Sequence, residues 1–387
     1  MKYFREKILS VKKEKTDKTA ESQFLAILRS GLWGTPAEAG PFQEAGRADW
    51  KGILQFSRTQ AVLPLIYDGI QGLPENYRPG GPALMKLIAY VDRVEKHNLA
   101  LDAAAVEISG RLASIGIRSV LLKGQGNARW YRNPLHRQCG DIDLYVGAGN
   151  FAEAAAAIRG WKEISDEKPE SVKHIGFSFN GLILELHREA YFFPGKKANA
   201  AFRPWETEEL SRDDCRVVLG ECGSITVPPP DFNLFYIFCH AFHHFMQSGL
   251  GLRQLCDIAR LLHVYRGRLD IEAFRDRLLQ FSLYREWQMF AGVLVEKLGL
   301  PADEAPLYDP GCTEKSGKVL GIILDDGNFG QHKSLPDFSR RPVLIRKAGN
   351  LCIHHIMLAR RMEVSARQTW KYYAEMWKNG IKAVFQR

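Results

Sequence analysis

The chain has 387 residues, of which 45% are apolar and 25% are charged. This composition excludes a disordered, collagen-like or low-complexity protein, and the length suggests about two to three structural units. No apolar run approaches the ~18 residues of a membrane span, and lysines follow the start too closely for a signal peptide. The seven cysteines form no C-x-x-C pair, which argues against a disulfide framework or a structural zinc site. We therefore expect a cytoplasmic protein without a transmembrane segment.

The net charge of +9 is concentrated at the C-terminal end of the chain. Residues 340–387 contain eleven Lys or Arg residues against Glu363 and Glu375, whereas the preceding residues are balanced. A basic segment on a neutral body predicts an anionic surface or polymer as a partner for residues 340–387. Nucleic acid, a membrane surface and a phosphorylated polymer all fit, and a membrane partner would place the protein peripherally at the membrane.

Helical patterns occupy the first part of the chain. Residues 21–32 predict one helix, and residues 50–70 predict one or two more. Residues 74–82 are predicted as a loop, because three prolines and the pair Gly80-Gly81 cannot continue a helix. From residue 83 to residue 115 the apolar positions recur at helical spacing, which predicts one long helix or two consecutive ones.

The pattern changes to short strands after residue 117. Residues 118–122 form an apolar run that ends in Lys123 and Gly124, as expected for a strand that enters a glycine turn. Residues 139–146 then alternate acidic and apolar side chains with the two-residue period of a strand. These two segments predict the centre of a small α/β unit.

A hairpin and a series of helices follow. Residues 175–179 and 182–187 flank Asn180-Gly181, which is the strongest short hairpin signal in the chain. The spacing of apolar residues then becomes helical again, and Asp231 is the predicted cap of the first of these helices. The order of elements is therefore helix-rich, α/β with mixed strands, and again helix-rich.

Asp141 and Asp143 are two residues apart on a predicted strand, so their side chains leave the same face, about 6.6 Å apart along the chain. Ile142 and Leu144 place this strand in an apolar core, where two uncompensated carboxylates would be costly. A divalent cation such as Mg²⁺, which prefers oxygen ligands, would relieve that cost. The alternative is an edge strand whose acidic face is solvated.

Glu185 lies in a similar apolar setting on another predicted strand. If the two strands are neighbours, it supplies a third carboxylate. Three carboxylates around two metal ions can activate a hydroxyl and stabilise the displaced oxygen in phosphoryl or nucleotidyl transfer.

The turn that precedes the acidic strand suits a phosphate ligand. Lys123 and Gly124 place an ammonium and backbone N–H groups where a triphosphate could bind. Gly126 leaves room for close approach of the ligand. On its own, a Lys-Gly pair is a weak signal.

Several short motifs follow one another along this part of the chain. In chain order they are Leu121-Leu-Lys-Gly124, Tyr131, Pro134, Arg137, Asp141-Ile-Asp-Leu-Tyr-Val146 and Leu184-Glu-Leu-His187. This order resembles the polymerase-β-type nucleotidyltransferase superfamily, in particular a largely uncharacterised bacterial family within it. Looser similarity covers residues 61–65 and 253–257, so the resemblance extends from about residue 20 to about residue 300. The resemblance implies an α+β fold in which a small mixed-sheet nucleotidyltransferase core is flanked by helical regions. We place the N-terminal helical region at residues 1–97, the core at 98–230, and the C-terminal helical region with its basic tail at 231–387.

The resemblance also implies a chemistry. Asp141 and Asp143 would be ligands of both metal ions, Mg²⁺ or Mn²⁺, and Glu185 would hold the catalytic metal and help to activate the acceptor hydroxyl. The expected reaction transfers a nucleoside monophosphate from an NTP to an unknown acceptor and releases pyrophosphate.

The remaining site residues are expected to face the substrate. The turn with Lys123, Gly124 and Gly126 would face the triphosphate. Arg137 either contacts a phosphate or pairs with Asp141 in a structural role. His187, two residues after Glu185, could contact substrate or orient that carboxylate, and the alternative is an ordinary half-buried strand histidine.

The chain departs from the wider superfamily at the turn. Lys123-Gly124 replaces the usual Gly-Ser or Gly-Gly pair, and the spacing from Gly124 to Asp141 is slightly long. The alternative function is therefore a catalytically degenerate nucleotidyltransferase-fold binding module, attached to an anionic partner through its basic C-terminal tail.

Two further patterns have both a structural and a functional interpretation. His240, His243 and His244 have the helical spacing of a zinc pair but lack the H-E-x-x-H pattern, so packing or a place near the nucleotide fits them better. Near the C-terminus, Trp370 and Trp377 share one face of a basic helix, which either docks on the body or binds an anionic lipid or polymer.

Overall fold

The computed structural model describes residues 18–330 and 343–385. Its helices are α1 (Lys18–Trp33), α2 (Gly40–Ala45), α3 (Trp50–Thr59), α4 (Leu63–Ile70), α5 (Gly81–Ala113), α6 (Gly124–Ala128), α7 (Gly147–Arg159), α8 (Lys196–Ser211), α9 (Pro230–Gln247), α10 (Leu252–Val264), α11 (Ile271–Gln280), α12 (Tyr284–Glu296), α13 (Thr313–Asp326) and α14 (Val343–Phe385). Its strands are β1 (Val120–Leu122), β2 (Ile142–Tyr145), β3 (Ile164–Lys168), β4 (His174–Phe179), β5 (Leu182–His187), β6 (Arg216–Leu219) and β7 (Gly223–Thr226). The first residues of the N-terminal region, the start of the basic segment and the last two residues lie outside the described residues.

Five strands form one mixed sheet in the order β1-β2-β5-β4-β3. Strand β2 is antiparallel to β1 and parallel to β5, whereas β4 is antiparallel to both β5 and β3. Strands β6 and β7 form a separate hairpin. With helices on both sides of this region in the chain, the predicted α+β class is confirmed.

The hairpin between β4 and β5 turns at the predicted dipeptide. Asn180 and Gly181 have φ values of 50° and 78°, as a two-residue hairpin turn requires. The register that follows places His174 opposite His187. The turn thereby fixes which side chains of the two strands share a face.

Helix α5 is a single helix of 33 residues. It begins at Gly81, inside the predicted loop, because Pro82 fits the first turn of a helix, where its missing N–H is not needed. Near its middle, buried Asn98 donates hydrogen bonds to the carbonyl oxygens of Leu135 and Arg137, at 2.7 and 3.0 Å. The long helix therefore anchors the turn that leads into β2.

Two large apolar cores and a small third cluster, around Leu63 and Leu87, occur among the described residues. The smaller of the two large cores lies between the sheet and helices α5 and α7, and includes Ile142 and Leu144. The larger one is shared by helices from both ends of the chain, so Phe24 and Trp287 belong to the same cluster. The boundaries predicted at residues 97 and 230 stay predictions.

Helix α9 runs through the larger core. It begins at Pro230, and Asp231 lies in its first turn rather than at the predicted cap position. The Asp231 carboxylate instead accepts a hydrogen bond from the Asp270 N–H at 2.8 Å. Proline fixes the φ angle that starts a helix, which explains the difference.

The C-terminal helix α14 packs on this core and is kinked at Ser365, where φ is −146°. Leu358, Val364 and Tyr372 are buried. Trp370 and Trp377 stay 63% and 50% exposed, so the face on which they lie is not the docking face.

One arginine of the basic segment is internal. Arg361 is fully buried, pairs with Asp326 of α13 and donates to the Phe245 carbonyl at 2.7 Å. Arg360 contacts Asp325 at 2.6 Å. Part of the basic charge at the C-terminus is thus neutralised within the fold. None of the helices in the described part of the chain has the length and apolar character needed to cross a membrane.

Candidate active site

Three carboxylates meet on one face of the sheet. The parallel register of β2 and β5 places Asp143 opposite Glu185, and Asp141 lies directly before β2. One oxygen atom from each of the three residues lies within 4.8 Å of the others. The sequence-predicted group of Asp141, Asp143 and Glu185 is therefore brought together by strand pairing.

Asp143 is 2% exposed and has two nitrogen partners. Its Oδ1 lies 3.0 Å from Lys123 Nζ and accepts a hydrogen bond from His187 Nε2 at 2.9 Å. Burial alone would raise the pKa of Asp143, but Lys123 and His187 outweigh burial and hold that pKa well below its usual range. Asp143 is therefore a permanent anion.

The other two carboxylates respond differently to their surroundings. Repulsion from Asp143, followed by burial, raises the pKa of Asp141 to about 6. Burial opposes ionisation of Glu185, but a hydrogen bond from His187 outweighs it and lowers the pKa of Glu185. The raised pKa of Asp141 means that the nearby cations do not fully offset the charge of the cluster, and a divalent cation fits this donor set.

His187 ties two of the carboxylates together. Its Nε2 lies 2.9 Å from Asp143 Oδ1 and 3.4 Å from Glu185 Oε2, and the ring is 1% exposed. Burial alone would lower the pKa of His187, but these contacts raise it. In this structure the ring therefore orients the carboxylates, which is one of the two roles its position on the strand suggested.

The Lys-Gly turn has an uncommon backbone. Lys123 has a φ of 50° and Gly124 a φ of 36°, and this geometry is rare for a side chain larger than glycine. The turn also brings Gln125 Nε2 within 3.0 Å of the Asp141 carbonyl oxygen. Gly126 faces Val227, since a Cβ atom there would lie 3.1 Å from Val227 Cγ1. Space at Gly126 thus serves packing in this structure.

Arg137 pairs with Asp257 of α10 and not with Asp141. Its Nη2 and Nε donate to the two oxygens of Asp257 at 2.6 and 3.1 Å, and both side chains are buried. Tyr131 also donates to Asp257, at 2.7 Å. This pair joins the segment before β2 to the C-terminal helices.

A cavity of about 350 Å³ lies over the carboxylates. Helix α9 covers it with one side of its last turns. The lining residues are Lys123, Gly124, Asn127, Arg137, Gly140, Asp141, Asp143, Lys173, His174, Glu185, Ile237, His240, His244, Arg253, Gln254 and Asp257. Four of these side chains are cationic and four are carboxylates, which suits a charged substrate.

Comparison with known proteins identifies the family of the chain. The sequence model of a family described as uncharacterised nucleotidyltransferases matches residues 46–298, more than half of the chain. The chain belongs to this family. The resemblance drawn from the Lys-Gly turn and the two acidic strands is thereby confirmed.

The other comparisons give no curated relative and a solved structure of low sequence identity. A search of curated proteins gives no match. Among solved structures, the chain is similar to an antigenic nucleotidyltransferase-like protein from Paracoccidioides brasiliensis, with 12% identity and a TM-score of 0.32. The similarity covers 55% of this chain and 96% of that chain. At this TM-score it carries no argument about the site.

The histidines of α9 divide between the cavity and the core. His240 and His244 line the cavity, with their Nε2 atoms 3.1 Å apart, whereas His243 lies 3.4 Å from the hydroxyl of Tyr372. Burial lowers the pKa of His243 to about 4 and that of His244 to about 3, so both rings are neutral at neutral pH. Within the described residues, neither group of three clustered metal-binding side chains includes a histidine of α9.

Among the cavity residues that the sequence analysis missed, Lys173 and His174 are the two for which the chain carries a signal. Lys173 and His174 lie at the start of β4, and His174 Nε2 is 3.7 Å from Glu185 Oε1. Counting outward from the Asn180-Gly181 turn pairs residue 174 with His187, so the hairpin register alone could have placed His174 beside the acidic strand.

Proposed function

We propose that this protein is a Mg²⁺-dependent nucleotidyltransferase that moves a nucleoside monophosphate from an NTP to an acceptor hydroxyl or phosphate. The observation that carries the proposal is the approach of Asp141, Asp143 and Glu185 oxygens to within 4.8 Å in a cavity that also contains the Lys123 turn. Family membership supports the same reaction class.

The carboxylates suit a divalent metal in number and in charge. Asp141, Asp143 and Glu185 would hold Mg²⁺ or Mn²⁺ through oxygen ligands, since the cluster carries negative charge that Lys123 and His187 leave partly uncompensated. When bound, such ions stabilise the charge that develops on the attacking and departing oxygens.

The protein side chains have distinct tasks in this reaction. Lys123 and the turn at Gly124 bind the triphosphate, and His187 fixes the orientations of Asp143 and Glu185. The acceptor oxygen bonds to the α-phosphorus while the bond from that phosphorus to pyrophosphate breaks. The acceptor proton passes to the Glu185 carboxylate, whose side chain is 26% exposed.

The test is calorimetric titration of the purified protein with each NTP, with and without Mg²⁺, repeated on the Asp141→Asn/Asp143→Asn double variant. We expect metal-dependent binding of at least one NTP by the wild type and none by the double variant. The Asp303→Asn variant is a matched control, because Asp303 is exposed and lies in a turn outside the cavity.

Binding alone does not establish transfer, so a second measurement is needed. Incubation with α-labelled NTP and cell extract should yield a labelled product in the wild type and none in Asp143→Asn. A folded wild-type sample that binds no NTP with Mg²⁺, or an Asp143→Asn variant that retains metal-dependent transfer, would contradict the proposal.

A binding module without catalysis is the second candidate. Two observations favour it. Lys123 and His187 already occupy Asp143 Oδ1 in this structure, and Trp370 and Trp377 are exposed on the helix that carries the basic segment. In this version the nucleotidyltransferase fold is retained for binding, and α14 attaches it to an anionic surface.

Co-sedimentation with vesicles tests the binding module. Vesicles that contain phosphatidylserine should retain the wild type, and a Trp370→Ser/Trp377→Ser variant should be released. The substitutions leave the buried residues of α14 untouched, so the fold persists. Equal sedimentation of the two proteins would reject attachment through this face.

A further inference from the structure

The cavity has a cationic side chain on either side of the carboxylates. Lys123 follows β1, and Lys173 directly precedes β4. The strand order β1-β2-β5-β4 places the carboxylates of β2 and β5 between these two lysines. Three strand spacings of about 4.8 Å separate β1 from β4, or roughly 14 Å. The two lysines therefore reach the carboxylates from opposite sides in the strand order.

The two lysines differ in their partners. Lys123 Nζ lies 3.0 Å from Asp143 Oδ1. Within the described part of the chain, no carboxylate lies in ion-pair range of the Lys173 ammonium, although it lines the cavity and its backbone oxygen is held by the Arg188 N–H at 2.9 Å. Burial lowers the pKa of Lys173, repulsion from Lys123 lowers it further, and the carboxylates do not compensate.

A partly desolvated cation without an anionic partner raises the free energy of the fold unless a bound ligand supplies the anion. The Lys123 end is suited to the triphosphate, because Arg253 and the Gly124 turn also lie there. Lys173 directly precedes β4, which neighbours the strand of Glu185 on the side away from β2. The anionic partner that Lys173 lacks would then be a group of the acceptor.

We propose that the β4 end of the cavity binds an anionic group of the acceptor, a phosphate or a carboxylate, through Lys173. The proposal rests on the proposed nucleotidyl transfer and names the acceptor class for it. The acceptor would carry its anionic group and its reacting hydroxyl or phosphate oxygen on one molecule, with the reacting oxygen at Glu185.

Two histidines line this part of the cavity. His174 Nδ1 is buried without a hydrogen-bond partner among the described residues. His240 lines the opposite wall on α9. Neutral imidazoles can donate a hydrogen bond to an anion without repelling Lys173. His174 and His240 would then donate hydrogen bonds to the anion that Lys173 binds.

The experiment separates the acceptor end from the nucleotide end. The protein is first saturated with Mg²⁺ and the α,β-methylene analogue of its best NTP, which fills the Lys123 end without reacting. Inorganic phosphate and, in a parallel arm, acetate are then titrated by calorimetry. We expect one of these anions to bind the loaded wild type. The Lys173→Met variant should bind the same anion at least about tenfold more weakly.

A matched control and a second variant make the result interpretable. Lys162→Met removes an exposed lysine outside the cavity and should leave anion binding unchanged. If Lys173→Met does not fold, as judged by its thermal unfolding, Lys173→Gln replaces it. The parallel arms decide between a phosphate-bearing and a carboxylate-bearing acceptor.

Three results would overturn the proposal: no anion binding to the loaded wild type, equal anion binding by Lys173→Met, or loss of nucleotide affinity in Lys173→Met. The last would assign Lys173 to the NTP. If the wild type binds no nucleotide, nucleotidyl transfer itself fails. Phosphate titration of the unloaded protein then decides separately whether Lys173 forms an anion site.

Discussion

Two buried aspartates line the same cavity and have opposite surroundings. Asp257 is surrounded by donors, since Arg137 contacts both of its oxygens and Tyr131 contacts one. Asp143 also has two nitrogen partners, but Asp141 and Glu185 crowd its other side.

The difference separates structure from chemistry. A buried carboxylate whose neighbours are all donors is saturated, and it stabilises the fold as long as its partners remain. A buried carboxylate beside other carboxylates retains unsatisfied negative charge, which a ligand or metal can use. We therefore assign Asp257 to the architecture of the site and Asp143 to its function.

Substitution of Asp143 should have the largest effect. Asp143→Asn removes one charge from the metal-binding group, which is worth several kcal/mol of transition-state stabilisation, so transfer should fall by about 10³-fold or more. Addition of EDTA to the wild type should have the same result. The labelled-NTP assay measures both, and near-UV circular dichroism of the variant should match that of the wild type.

Substitution of Asp257 should lower stability, whereas substitution of Asp143 should lower activity with the fold intact. Asp257→Asn leaves the buried Arg137 guanidinium without its counter-charge, and should lower the free energy of unfolding by about 3–5 kcal/mol. Urea denaturation measures the change. The Arg137→Met/Asp257→Leu variant should recover part of the loss, because both charges are then gone. An Asp257→Asn protein of wild-type stability would erase the distinction between the two aspartates.

The acidic group could be predicted from sequence because it depends on local rules. The two-residue period of β2 puts Asp141 and Asp143 on one face, and the apolar neighbours of Glu185 mark a second buried strand. The Asn180-Gly181 turn fixed the hairpin register.

Other contacts depend on packing between distant segments. Arg137 and Asp257 are 120 residues apart, and no spacing rule joins them. Strand β3 was missed because most of its side chains are exposed and charged, so it lacks an apolar alternation. The sequence left the docking face of α14 open, because Trp370 and Trp377 follow helical spacing as well as the buried residues do.

The binding of Mg²⁺ should depend on pH. The pKa of Asp141 is raised to about 6, mainly by Asp143, so below that pH the site holds a proton that Mg²⁺ must displace. Affinity for Mg²⁺ should therefore be constant above pH 7 and fall by about tenfold for each unit below pH 6. Calorimetry at pH 5, 6, 7 and 8 measures this. Asp141→Asn should abolish the dependence together with most of the affinity.

A third ionic cluster, at the edge of the site, should give the smallest effect. His136 lies directly before Arg137, and its ring nitrogens contact Asp68 of α4 at 2.7 Å and Glu95 of α5 at 2.8 Å. Burial alone would lower the pKa of His136, but the two carboxylates outweigh it and raise the pKa. The folded protein therefore binds this proton more tightly than the unfolded chain does.

The sign of the stability effect follows from the raised pKa. The contribution of His136 is fully present below the unfolded pKa of about 6.5 and is lost as the pH rises through the folded pKa. Because both carboxylates are partly exposed, we expect a loss of only about 1 kcal/mol between pH 6 and pH 9. Urea denaturation across this range should show that slope in the wild type, and the His136→Gln variant should lack it. If the variant keeps the slope, another group titrates, and the turn before Arg137 is held by packing alone.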